Sequence, residues 1–172
     1  MNSFIKGVVV CGLISLAFTG CKKEEYGEVV VKMTDAPGDY LQVNVDINSV
    51  QVHTETGGWM TLSTNSGVYD LLTLQNNVTT VLATGTSVPA GKVSQIRLIL
   101  GSNNTVMLND STIHPLTIPS SAQSGLKINV HADVPASSPL TITLDYDADQ
   151  SVNQQGTGEY IMQPVITVQS IY

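Results

Sequence analysis

Three aspartates at alternate positions, Asp145, Asp147 and Asp149, are the densest set of chemistry-bearing side chains in the sequence. Side chains of an extended segment alternate between faces, so this spacing predicts three carboxylates on one side. Their repulsion would be relieved by a hard cation. Calcium, which takes about six to eight oxygens, is the candidate cofactor, with Gln150, Ser151 or Asn153 as further donors. The stretch is not an EF-hand loop, which needs Gly at its sixth position and Glu at its twelfth, where Gln150 and Gly156 stand. The plainer reading ranks first: a strand end passing into a polar turn, with the Asp side chains bonding nearby backbone N–H groups. Asp35 and Asp39 flank Pro37-Gly38 in a second polar turn and are read the same way.

Nucleophilic and acid–base chemistry find little footing. Ser124-Gly-Leu-Lys127 has the Ser-x-x-Lys spacing, but that chemistry needs both residues on one helical turn. Here Lys127 falls in an alternating strand pattern, and no Lys-Thr-Gly follows. His53, His114 and His131 are scattered over different segments, with no pair at helical spacing. No Gly-x-Ser-x-Gly or phosphate loop occurs. A carboxylate-dependent hydrolase ranks last, because the chain has no large insertion to build a cleft. The chain is therefore read as non-enzymatic, with no catalytic residue.

Binding residues are sparse as well. Trp59, with Tyr26, Tyr40, Tyr69 and Tyr160, could stack on sugar rings, yet aromatic residues make up only 5% of the chain. Trp59 is accordingly expected in the core. Asp110-Ser111-Thr112 resembles the acceptor sequence for O-glycans in Bacteroidetes, with Ser111 as the modified residue.

The address is more legible than the activity. Lys6, the apolar run Gly7 to Phe18 and the small pair Thr19-Gly20 have the three parts of an export signal, followed at once by Cys21. The run is shorter than the roughly 20 residues needed to span a bilayer. Small residues directly before a cysteine resemble a bacterial lipoprotein signal, although Phe18 stands where Leu is commonest. Residues 1–20 are expected to be a cleaved, helical signal peptide, Cys21 the lipidated N-terminus, 21–27 a tether and 28–172 one domain. Cys11 is lost with the leader and Cys21 is consumed by lipid, so the two cysteines leave no thiol for a disulfide, a zinc site or a nucleophile. Lys22 after the cysteine resembles outer-membrane sorting. Lys22-Lys23-Glu24-Glu25 resembles the acidic tag that carries Bacteroidetes lipoproteins to the cell exterior; the periplasmic face is the alternative.

Seven basic and fourteen acidic residues give a net charge of −7, and Arg97 is the only arginine. Such a chain repels phosphate backbones, so nucleic acid is not an expected partner.

Short alternating strands must position all of these residues. In Leu41 to His53 the apolar parity slips near Asn48-Ser49, which predicts a β-bulge. Glu55-Thr56-Gly57-Gly58 signals a hairpin turn. Val68 to Leu74 and Val78 to Ala83 read as short strands, with a single helical turn as the alternative. Pro115 to Pro119 reads as an edge strand, and Tyr160 to Ile171 as a central strand buried on both faces. About ten strands at regular spacing predict an all-β, antiparallel two-sheet β-sandwich.

Met33-Thr-Asp-Ala-Pro-Gly38, Trp59 after Gly57-Gly58, Pro89-Ala-Gly91, Gln95-Ile-Arg-Leu98, Leu144-Asp-Tyr-Asp-Ala148 and Tyr160 followed by Pro164-Val-Ile166 occur in this order. Over roughly Glu28 to Gln169 the set resembles the bacterial lipoprotein family known as domain of unknown function four-three-eight-two. The resemblance implies an exported, prealbumin-like sandwich and brings no established site residues; the strand pattern itself is read as prealbumin-like or immunoglobulin-like. The expected function is an outer-membrane, surface-exposed lipoprotein whose domain binds or adheres to a glycan or envelope protein. The alternative is a structural or accessory envelope protein acting through protein partners.

Overall fold

The computed structural model describes residues 24–172. The expected leader, 1–20, and the expected lipid-accepting Cys21 lie outside the described residues. The described chain is mostly β. In order it forms β1 (Tyr26–Thr34), β2 (Gln42–Thr54), β3 (Gly58–Thr61), β4 (Ser63–Thr64), β5 (Gly67–Asp70), a 3-10 turn (Leu71–Leu74), β6 (Thr80–Pro89) and β7 (Gly91–Leu100). Then come β8 (Thr105–Met107), β9 (Ile113–Thr117), the one-turn helix α1 (Ser120–Gln123), β10 (Leu126–Val134) and β11 (Leu140–Asp147). The chain ends with α2 (Ala148–Ser151), β12 (Val152–Gln154), β13 (Tyr160–Met162) and β14 (Val165–Ile171). Among the described residues, no helix is long and apolar enough to cross a membrane.

Two sheets result. One runs β14-β11-β1-β6-β4; the other runs β10-β7-β2-β8-β9-β13-β12, with β3 and β5 also paired to β2. Alternation explains their common core. Val29, Val31 and Met33 of β1, Ile142 and Leu144 of β11, and Val52, Ile96 and Leu98 from the second sheet all have 0% exposure and belong to one cluster. The polar residues between them are left on the outer faces.

The expected bulge in β2 is present. Its pairing with β7 shifts register between Ile47 and Ser49, which returns Val50 and Val52 to the core after the parity slip. The hairpin between β2 and β3 closes with Gly58 at φ +63°, a conformation that glycine adopts without Cβ strain.

Several expectations are corrected. The sheets are mixed rather than antiparallel, because β1 pairs with β11 in parallel and β9 pairs with β13 in parallel. Alternation marks which face is buried but not which way the neighbour runs. Leu71 to Leu74 takes the alternative form, a single 3-10 turn, between the strands β5 and β6. Asp70 caps it by accepting from Leu72 N–H at 3.2 Å, and Leu71 and Leu74 are buried. β9 is not an edge, since it lies between β8 and β13. Its one proline, Pro115, is tolerated because pairing with β13 involves only Leu116 and Thr117. Tyr160 to Ile171 is not one central strand. β13 joins the second sheet and β14 forms the edge of the first, so the two-sided apolar loading records a change of sheet around Gln163-Pro164.

Candidate functional site

The Asp145–Asp149 stretch does not gather three carboxylates. Asp145 and Asp147 point outward from β11, but the chain turns helical at Ala148 and carries Asp149 into α2. Asp147 caps that turn. Its Oδ1 accepts Gln150 N–H at 2.9 Å and its Oδ2 accepts the Gln150 side-chain amide, so both oxygens are engaged locally. Burial, with Asp147 nearby, pushes the Asp145 carboxyl upward. Among the described residues, no group of three or more His, Cys, Asp or Glu side chains is placed to hold a metal ion. Asp147 and Gln150 have the bonding of a polar turn.

Asp35 and Asp39 also separate. Asp39 is exposed, whereas Asp35 is only 4% exposed and accepts Ala148 N–H at 2.9 Å through Oδ1. Ser124 follows α1 and Lys127 lies in β10, so they never share a helical turn. The histidines do not converge: His53 lies on β2, His114 on β9 against Tyr160 at 4.8 Å, and His131 on β10. Ser111 sits in the β8–β9 turn at φ +68°, exposed, beside an Asp110 carboxylate that accepts both the N–H and the hydroxyl of Thr112.

Trp59 departs most usefully from expectation. It is half-buried on the outer face of the second sheet, not in the core, and none of the tyrosines shares a ring contact with it among the described residues. The shortness of β3 explains this. Its outward position at Trp59 pairs with outward His53, while the inward layer is already filled by Val50, Val52 and Leu62.

Around Trp59 the strand registers build two cross-strand rows. Lys127, Arg97, Gln51 and Thr61 are successive partners across β10, β7, β2 and β3; Asn129, Gln95, His53 and Trp59 form the next row. All eight are half-buried or exposed. Side-chain bonds knit the rows: Gln51 Nε2 donates to Thr61 Oγ1 at 3.1 Å, Arg97 Nη1 to Gln51 Oε1 at 3.2 Å, and Gln95 Nε2 to Asn129 Oδ1 at 2.8 Å. The Arg97 guanidinium carbon stands 3.8 Å from the Trp59 ring centroid, and His53 meets the same indole edge-on at 5.1 Å. Gly125 makes room for this arrangement. At φ +102° it passes so close that a Cβ would stand 2.7 Å from Arg97 Cγ and Cδ.

The chain's only arginine is thus stacked on its only tryptophan, and no carboxylate pairs with it among the described residues. Neither row contains an acidic residue. Sequence reasoning singled out Trp59 and Lys127 for other roles and overlooked Gln51, Thr61, Gln95, Arg97 and Asn129 as parts of a site. The available signal was a repeated outward pair two residues apart: Gln51 with His53, Trp59 with Thr61, Gln95 with Arg97, and Lys127 with Asn129.

Fold and face together define a mostly-β protein that presents an open, polar, aromatic-centred sheet face. The chain belongs to the family described as Domain of unknown function (DUF4382), whose model matches residues 26–164. No curated protein matches the chain, and no solved structure matches it.

Proposed function

We propose that this chain is an exported, lipid-anchored and non-enzymatic binding module of the Bacteroidetes surface-lipoprotein type, whose ligand face is the double row centred on Trp59 and Arg97. The observation that carries this reading is the stacked Arg97–Trp59 pair on an open sheet face. A guanidinium left without a carboxylate, held over an indole and bordered by amides, is arranged to meet a ligand. The two sheets closing over one core support a β-sandwich of prealbumin-like or immunoglobulin-like kind. The stretch from Leu16 to Glu25 supports lipidation of Cys21 and residence at the outer membrane, facing outward. In this reading Ser111, at an exposed turn, is the O-glycan acceptor, and no cofactor is required.

A glycan array probed with the full chain in detergent tests the face. Binding that disappears in Trp59→Ala but survives in Ser137→Ala, at an exposed loop outside both rows, supports the proposal. Binding indifferent to Trp59 overturns it.

A further inference from the structure

We propose that the ligand of this face is a carboxylate-bearing polysaccharide, a chain of uronic acid units whose acid group seats on Arg97. This deepens, and rests on, the reading of the double row as the ligand site.

Charge points to the anion. The chain carries fourteen acidic residues against seven basic ones. Yet the two rows hold Arg97 and Lys127 side by side in register and no carboxylate. A pair of cations without acidic partners among the described residues, on a protein of opposite overall sign, complements a negatively charged ligand. Arg97 is also ordered before any ligand arrives. Its Nη1 bonds Gln51 at 3.2 Å, its guanidinium stacks on Trp59 at 3.8 Å, and Gly125 closes over its stem. A guanidinium held this way loses little freedom on meeting a carboxylate.

The flanking groups point to sugar rather than to acidic peptide. In the middle of these rows the backbone N–H and C=O groups of β2 and β7 are engaged in strand pairing, so a ligand laid over Gln51, His53, Gln95 and Arg97 meets side chains and not backbone. What remains are side-chain amides, which both donate and accept, as hydroxyl groups do. Strands about 4.8 Å apart place these amides roughly one sugar ring from their neighbours. The four strands together span roughly 14 Å, enough for a short run of rings laid across the sheet.

The test uses the full chain purified in detergent and four probes: polygalacturonate, alginate, fully methyl-esterified polygalacturonate and polyglutamate. The expected result is binding to at least one of the two acidic polysaccharides, weakened by salt, and about tenfold or more weaker for the methyl ester. Arg97→Gln should erase the preference for acid over ester, with an unchanged melting temperature certifying the fold, and Arg97→Lys should restore it only in part. Equal, Trp59-dependent binding of acid and ester would overturn the anionic ligand and leave the binding face standing. Polyglutamate bound as tightly as the uronates would also overturn it, in favour of a generic polyanion surface. Failure to bind either acidic polysaccharide, while a neutral glycan on the array still requires Trp59, would overturn the inference alone. Failure of every saccharide would remove the face reading as well.

Discussion

Asp35 Oδ1 accepts the backbone N–H of Ala148 at 2.9 Å, tying the end of β1 to the turn that leaves its parallel neighbour β11. The other oxygen, Oδ2, is buried without a hydrogen-bond partner. Burial pushes this carboxyl from 3.8 up to about 7; the Ala148 bond opposes the rise, and Asp145 and Asp147 add to it. An acid whose pKa rises on folding is held protonated by the native state where the unfolded chain has already lost its proton. Its contribution to stability therefore falls as pH climbs from about 4 to about 7, and is flat above. Asp35→Asn, which keeps an acceptor for Ala148 without the charge, should melt higher than wild type at pH about 8, with the gap closing towards pH about 4. A gap independent of pH would contradict this assignment.

The turn after β7 is held to Asp46. Gly101 N–H donates to Asp46 O at 2.8 Å, while Asp46 Oδ2 accepts from the Asn103 backbone at 3.1 Å and from its side chain at 3.0 Å. A Cβ at Gly101 would collide with the Asp46 carboxylate. Gly101→Ala should destabilise the domain by about 1–3 kcal/mol in urea unfolding. The double variant with Asp46→Ala should cost less than the two single costs combined. Strict additivity would show that the collision is relieved elsewhere.

Because Gly125 combines φ +102° with an approach to Arg97 Cγ and Cδ, Gly125→Ala should both lower the melting temperature and displace the guanidinium from Trp59. Tryptophan fluorescence should then move towards that of Arg97→Gln. An emission spectrum unchanged from wild type would mean that the stack does not depend on the glycine.

The address is tested separately from the fold. Cys21→Ser should abolish incorporation of labelled palmitate and release the protein from the membrane fraction, because in the proposed reading the lipid is the anchor. Protease added to intact cells should remove the wild-type domain. Protection from protease would place the domain on the periplasmic side.

Strand content was legible in the sequence because alternation is local. Leu140, Ile142, Leu144 and Tyr146 face inward as their spacing predicts, and the slip at Asn48-Ser49 announced its bulge. Partner choice was not legible. Nothing local to Val29–Thr34 reveals that β11, more than a hundred residues later, lies parallel beside it. The exit of Asp149 from its row depends on the helical turn at Ala148, which Asp147 nucleates by capping Gln150 N–H. The proposed binding face was hidden for a related reason. Gln51, Arg97 and Lys127 are each ordinary outward residues in sequence, and only the registers of three separate strand pairs bring them into one row with Thr61.

The central claim is that the face around Trp59 and Arg97 binds the ligand. The most direct measurement is titration of the full chain and its Trp59→Ala, Arg97→Gln and Ser137→Ala variants with whichever saccharide the wild type retains most strongly. Removing a stacking indole or a charge-assisted hydrogen bond should each weaken binding by about tenfold or more, with Ser137→Ala indistinguishable from wild type. Wild-type affinity in folded Trp59→Ala and Arg97→Gln, or equal loss in all three variants, would contradict the account.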